Sequence, residues 1–380
     1  MALLSYKFRL YPNRAQADAL TGMLGAFCDL YNAGLQQRIE AYRRRGISLR
    51  YLDQADELKA VRAADERLAL YSYSAEQQVL RRLDKAFKAF FRRLKGRKGK
   101  AGFPRFQAKS RFDSAEFRVG DGLTIRKSKR LGIVSIPGEI KVKWHRPLPE
   151  GAKVGAAVLS RSNEKWFVCF QIEVETPAVE RPVSTVGLDM GLSSLVALST
   201  GATIPAPQWT KHAAKGLRRR QRALSRKHRF SAGWKRARRA AARHQAKVAA
   251  RRRDCLHKLS RRLVREHSHI ALEDLNVRAL ARTMLAKAVH NAAWAQLTAM
   301  LSYKAANAGG EIVLVDPRGT SQTCPECGAI QAKALSEREH RCNCGAVLDR
   351  DVAAAKIVHL RAFGYAPGHG VRDVSGRVAA

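Results

Sequence analysis

Two sets of side chains in this sequence have the types and spacing to do chemistry. The first is three carboxylates far apart in the chain: Asp189, Glu273 and Asp351. Asp189 ends the run Val186-Gly187-Leu188-Asp189, and Glu273 ends Ile270-Ala271-Leu272-Glu273. Asp351 follows Asp349-Arg350 at the start of an Ala-rich stretch. Acids beside apolar strand residues are costly unless paired or holding a cation. Three that converge offer the oxygen ligands Mg²⁺ takes while it keeps its waters for substrate phosphates. Two such ions would activate a water and stabilise the leaving oxygen in phosphodiester cleavage. Taken singly, each acid reads as a helix cap or a surface salt bridge. Asp274, Asp316 and Asp349 stand close by and compete for the same roles.

The second set is Cys324-Pro325-Glu326-Cys327-Gly328 and Cys342-Asn343-Cys344-Gly345. Two close cysteine pairs, each followed by Gly, have zinc-ribbon spacing. The glycines let the backbone turn its amides toward the thiolates. Four thiolates close a tetrahedron, so the expected zinc is structural, with no open position for water. The C-x-C pair is one residue shorter than usual and leaves His340 as an alternative ligand; an iron–sulfur cluster is the minor alternative metal. Cys28, Cys169 and Cys255 stand alone, so the total of 7 is odd. One tight cluster in an odd total reads as a reduced compartment with a metal site, not a disulfide framework.

The elements that must position these groups follow from periodicity. Leu4, Tyr6, Phe8 and Leu10 alternate with polar residues, which is a strand with one buried face. Asn13 with Gln16 forms a capping box for a helix with Leu20, Met23, Leu24, Phe27, Leu30 and Tyr31 on its apolar face. Helical pattern continues to about residue 95. Extended pattern returns with Ile140, Val142 and Trp144, and Arg161-Ser162-Asn163-Glu164 reads as a hairpin turn. Residues 1–12 and 107–178 are therefore expected to form one small β barrel, interrupted by a helical domain over 13–106. Thr176 to Pro182 reads as a linker. Beyond it come strand, Asp189, turn and strand; then the basic helical stretch 211–267; then strand and Glu273, a helix over 292–306, and the strand Ile312–Val315. The tail over 364–380 is Gly-rich and expected to be loose. The fold class is α/β and multidomain.

Charge narrows the partners. Lys and Arg total 71 against 32 Asp and Glu, a formal net charge of +39. Residues 81–111 hold 13 basic residues and 1 acid; residues 211–267 hold 22 and 2. Like charge at this density calls for a polyanion, and nucleic acid is the first candidate. Arg outnumbers Lys in the second block, which suits phosphate. Phe103, Phe106, Phe112 and Trp234 lie in basic zones and are open to stacking on bases or to core packing. No run is long and apolar enough for a transmembrane helix, and the N-terminus has no signal-peptide pattern. No P-loop, no dinucleotide glycine motif and no marked recombinase hydroxyl is present.

The order strand–Asp–turn–strand, strand–Glu, Asp–helix resembles that of ribonuclease-H-like nucleases. Over nearly the whole chain the sequence resembles TnpB, the RNA-guided nuclease of bacterial insertion sequences, and the compact type V CRISPR nucleases. The resemblance rests on YKFRLYPN at 6–13, FPRF at 103–106, VGLDMGL at 186–192, ALEDL at 271–275, TSQTCPECG at 320–328 and LDRDVAAAKI at 348–357. It implies a RuvC nuclease domain over 179–319 and 348–363, with Asp189, Glu273 and Asp351 as its acidic triad. It implies a zinc ribbon inserted over 320–347, a lid over 276–291, and a helical recognition domain within the N-terminal barrel. The implied activity is Mg²⁺-dependent cleavage of target double-stranded DNA beside a short adjacent motif. It would be directed by a guide RNA from the element's own end, in a cytoplasmic, nucleoid-associated ribonucleoprotein; one triad per chain permits a monomer to cut both strands in turn. Ala353 stands where such proteins often carry Asn. A guided repressor that no longer cuts would have lost triad acids, and all three are here. A transposase or integrase would share the acidic site without needing the barrel and helix block. A CRISPR-encoded member would differ by its neighbouring repeat array.

Overall fold

The computed structural model describes residues 2–96, 101–126, 128–174, 182–207, 209–280, 282, 286, 292–334 and 337–364. Most of the expected linker, most of the expected lid and all but the first residue of the expected tail lie outside the described residues. The chain divides into two units, residues 1–176 and 177–380.

In the first unit a seven-stranded sheet has the order β4-β3-β2-β6-β7-β1-β5. Its strands are β1 (Ala2–Tyr11), β2 (Ser114–Val119), β3 (Gly122–Ile125), β4 (Leu131–Ile133), β5 (Lys141–Lys143), β6 (Lys153–Ser162) and β7 (Lys165–Val174). β1 pairs antiparallel with both β5 and β7, so the first residues of the chain complete a sheet built from a segment about 100 residues on. At the two edges Leu131 and Ile140 exchange backbone hydrogen bonds of 3.0 and 2.8 Å, which leaves the sheet nearly closed. The β6–β7 turn is Asn163-Glu164, both at positive φ (48° and 64°), as a tight hairpin requires. Phe8, Leu10, Phe117, Leu159, Val168 and Phe170 fill the interior.

Four helices follow β1: α1 (Arg14–Arg45), α2 (Tyr51–Ala64), α3 (Glu66–Ala69) and α4 (Tyr73–Lys95). The Asn13–Gln16 capping box is formed, with bonds of 2.8 and 3.0 Å. All six apolar residues expected on the α1 face are buried. Phe112 and Trp166 are core, whereas Phe103 and Phe106 stand about half exposed. Glu76 is wholly buried and paired at 2.5 Å with Arg62; burial pushes it up to about 7 against that guanidinium.

The second unit holds a five-stranded sheet of order β10-β9-β8-β11-β12. The strands are β8 (Thr185–Asp189), β9 (Ser194–Leu198), β10 (Thr203–Pro205), β11 (His269–Glu273) and β12 (Glu311–Val315). β8, β9 and β10 form an antiparallel meander; β11 then runs parallel to both β8 and β12. Parallel neighbours need helical crossovers. These contain α5 (Trp209–Ser225), α6 (Ala232–Glu266) and the short α7 (Val277–Leu280), and, before β12, α8 (Trp294–Asn307). The basic stretch expected as helix is two helices packed on each other, not one. The break falls at 226–231, where Phe230 adopts φ 70° and Ser231 caps α6 through the Trp234 N–H. A small two-stranded sheet, β13 (Glu339–Arg341) and β14 (Val347–Asp349), leads into α9 (Arg350–Phe363). Among the described residues no helix is long and apolar enough to cross a membrane.

Candidate active site and metal centre

Three elements bring the acids together. In the parallel β8–β11 register Leu188 faces Leu272, so Asp189 and Glu273 are the next pair at the same ends of adjacent strands. Side chains in register on neighbouring parallel strands share a face. Asp351 arrives on the first turn of α9, whose N-cap is Asp349 accepting from the Asp351 and Val352 N–H groups at 2.9 and 3.1 Å.

Gly187 is what lets α9 come so near. A Cβ there would lie 2.3 Å from the Ala355 carbonyl oxygen and 2.6 Å from the His359 nitrogen. Helix backbone therefore rests directly on strand backbone, on the face that Gly187 shares with Asp189 two residues on. Gly191, in the turn after β8, has the Asp351 Oδ2 3.2 Å from where its Cβ would be. Trp294 donates its indole N–H to the Gly191 carbonyl at 3.3 Å and pins that turn to α8.

The electrostatics follow from this convergence. Asp189 is pushed up to about 8, first by burial and then by the negative charges of Glu273, Asp351 and Asp349, with Arg350 opposing. Burial raises Glu273 against the Thr320 hydroxyl and the charge of Arg361. Burial and Asp349 raise Asp351 against Arg350 and Arg338. A carboxyl that holds its proton near neutrality in so basic a chain marks a desolvated site with a local surplus of negative charge.

Of the competing acids, Asp349 is spent as a helix cap, though its charge reaches Asp189. Asp316 accepts from the Arg318 N–H at 3.1 Å, and Asp274 is exposed. Two side chains at the site carry no signal in sequence spacing. Thr320, 4% exposed, places its hydroxyl 2.5 Å from Glu273 Oε1. Arg361 donates to the carbonyls of Asp316 and Arg318 at 2.7 and 2.8 Å and acts on Glu273 by charge.

The cysteines form a second centre. The Sγ atoms of Cys324, Cys327, Cys342 and Cys344 all lie within 4.8 Å of one another. This is the one such set of three or more metal-ligating groups among the described residues. Cys324–Cys344 and Cys327–Cys342 are 3.7 and 3.5 Å apart, too long for disulfides. Four sulfurs about 2.3 Å from a tetrahedral zinc stand about 3.8 Å apart, so the spacing fits that ion. Gly328 and Gly345 turn at φ 75° and 91°, which closes each knuckle. The Cys344 N–H draws Cys342 down to about 7. The Ala346 N–H favours the Cys344 thiolate, yet the neighbouring sulfurs push that thiol up to about 12. Cys342 and Cys324 thus ionise the more readily, while Cys327 and Cys344 hold protons that a cation would displace. His340 is wholly buried and touches Lys333, outside the four-sulfur set.

The IS605 OrfB family, described as "Probable transposase", matches residues 167–284. A Cas12f1-like TNB domain matches 294–358, and a helix-turn-helix domain of the same OrfB family matches 1–46. In this chain that last segment is the strand β1 followed by the single helix α1. A protein of Streptomyces pristinaespiralis named an RNA-guided DNA endonuclease is 36% identical over 375 residues, covering 97% of this chain and 92% of the relative. InsQ of Escherichia coli K12, named likewise, is 29% identical over 90% of this chain and 87% of its own. Among solved structures, a Cas12f1 complex with guide RNA and target DNA has TM-score 0.57 at 14% identity, covering 91% of this chain and 83% of that one. The RNA-guided endonuclease Cas_phi3 has TM-score 0.50 at 10% identity, covering 97% and 93%.

Proposed function

Since the chain belongs to the family of RNA-guided DNA endonucleases of insertion sequences, we propose that Asp189, Glu273 and Asp351 are its catalytic acids and hold magnesium. What carries this reading is the raised Asp189: a half-buried carboxyl at a strand end, facing two others from different elements, is best stabilised by a proton or a cation. Hard oxygen donors with few competing cations suit Mg²⁺. The acids do not meet the tight spacing that the four sulfurs meet, and a pair of ions about 3.5–4 Å apart asks for a wider cradle. Magnesium bound there supplies an activated water and stabilises the leaving oxygen of a phosphodiester. The chain's own residues prepare that chemistry. Asp189 gives up its proton as positive charge arrives. The Thr320 hydroxyl fixes one Glu273 oxygen. Gly187 keeps Asp351 at the strand end, and Arg350 limits the negative surplus.

The sheet order, a meander followed by two parallel strands, supports assigning 179–319 and 348–363 to a RuvC-like nuclease domain with a structural zinc ribbon over 320–347. The nearly closed sheet supports a barrel of 1–12 and 107–178 around a helical recognition domain, 13–106. The partners in this reading are a guide RNA and target double-stranded DNA, read beside a short adjacent motif. One triad per chain lets a monomeric ribonucleoprotein cut the two strands in turn. Asp189→Ala should abolish cleavage by the purified ribonucleoprotein while guided DNA binding, followed by gel shift, persists. Full cutting by that variant removes the proposed site. Metal analysis should give one zinc per chain; a folded, zinc-free protein removes the ribbon assignment.

A further inference from the structure

Within the first unit, the C-terminal ends of α1 and α4 enclose a cavity of about 630 Å³, within the roughly 300–1,000 Å³ of small-ligand sites. Phe87, Phe90, Phe91 and Phe103 line it. Their rings already meet as aromatic pairs: Phe87 and Phe91 stack at 6.3 Å, and Phe103 sits edge-on to Phe87 and Phe90 at 5.5 and 5.3 Å. The cluster is open to solvent, with Phe91 at 49%, Phe103 at 48% and Tyr42, at the rim, at 64% exposure. Contiguous exposed aromatic surface of this kind marks a binding site.

Charge identifies the occupant. The last turn of α1 is Arg43-Arg44-Arg45, and that of α4 carries Arg92, Arg93 and Lys95; all six are exposed. Beneath the rings the Arg38 guanidinium, 6% exposed, lies 5.0 Å from the Phe87 centroid. Its Nε and Nη1 are committed to Gln54 at 2.8 Å and Asp84 at 3.2 Å. The backbone that brings Phe103 here is anchored. Asn32 on α1 donates to the Gln107 carbonyl at 2.9 Å and accepts its N–H at 2.8 Å. Flat aromatic walls with cations at the rim match the two faces of a nucleotide, a base to stack and a phosphate to neutralise.

We propose that this cavity captures an unpaired base of a nucleic-acid strand, stacked on Phe91 and Phe103 with its phosphates on the arginines that end α1 and α4. The inference rests on the guided-nuclease reading and adds to it a contact remote from the acids. The shared chemistry, an unpaired nucleotide, has two sources, the guide RNA or a DNA strand freed from the target duplex. The test is zero-length ultraviolet crosslinking of the purified ribonucleoprotein, alone and with target DNA, followed by mass spectrometry of peptides. A nucleotide adduct on the 87–103 segment is expected. Its presence before DNA is added identifies RNA, and its appearance only afterwards identifies DNA. Phe91→Ala with Phe103→Ala should lose the adduct and weaken binding of the strand so identified by about tenfold or more; Phe91→Trp with Phe103→Trp should keep both. The absence of an adduct on this segment, with adducts elsewhere in the chain, overturns the proposal and leaves the nuclease reading standing. The same holds if the alanine variant binds nucleic acid as before but no longer self-associates in sedimentation, since the patch is then an interface between copies. No adduct anywhere would strike the guided-nuclease reading itself.

Discussion

Asp189 is the residue at which stability and the proposed function pull apart. Its acid is held up to about 8 in the folded chain, against roughly 3.9 when unfolded. Between those values the folded state binds the extra proton, so stability falls as pH rises and levels off above about 8. The shift amounts to several kcal/mol at most. Asp189→Asn removes the charge and keeps the shape. In metal-free buffer the variant should melt above the parent at pH 8, with the gap narrowing toward pH 5, although under the proposed mechanism it should no longer cut. Adding magnesium should raise the melting temperature of the parent and leave the variant nearly where it was. A melting gap that ignores pH would mean that Asp189 is neither desolvated nor repelled by its neighbours as described. Thr320 belongs to the same scale: nothing in its spacing from Cys324 tells a reader that its hydroxyl serves Glu273 and not the ribbon.

At the scale of elements, the parts that can be read from the sequence are those with a local period or a local cap. β1 alternates, α1 begins at its Asn13–Gln16 box, and Asn163-Glu164 makes its hairpin, because neighbouring residues decide each of them. The cysteine pairs are equally local, and their sulfurs meet. The split of the basic stretch into α5 and α6 was not legible, since 226–231 contains neither Pro nor Gly and only Ser231 offers a cap. The approach of α9 to β8 is also invisible locally, because Gly187 reads as one more small strand residue until Ala355 and His359 stand over it. That close approach gives a sharp test. Gly187→Ala should cost about 3 kcal/mol or more through overpacking and should lower cleavage by shifting Asp351 from the strand end. Gly155→Ala, where a Cβ meets nothing within 4 Å, is the control and should be near neutral. Equal denaturation midpoints for the two variants would show that helix and strand do not touch as described.

For the whole molecule the governing quantity is a net charge of +39 that the chain cannot neutralise by itself. The 211–267 stretch has two acids, and both are taken by neighbours one helical turn away, Asp254 by Lys258 and Glu266 by Arg262. Two acids cannot offset the 22 cations of that stretch. Along α6 the buried side chains, apart from Ala241, fall between Leu256 and Val264, so most of its first two-thirds is solvated basic surface. Burial holds the C-terminal third of the helix; the rest packs on α5 along one side, and nothing in the chain offsets the cations it leaves exposed. Phosphates do, because each one neutralised by Lys or Arg releases a condensed counterion. Affinity of the protein for its guide RNA should therefore fall on the order of 10³-fold or more between about 50 and 200 mM salt. Replacing the exposed Lys247, Arg251 and Arg253 with Gln should make the slope of log affinity against log salt shallower, by about one for each phosphate that is no longer neutralised. It should leave zinc content unchanged. A slope that stays the same in this variant would show that the basic helix faces water and not nucleic acid, and the charge of the chain would then need another cause.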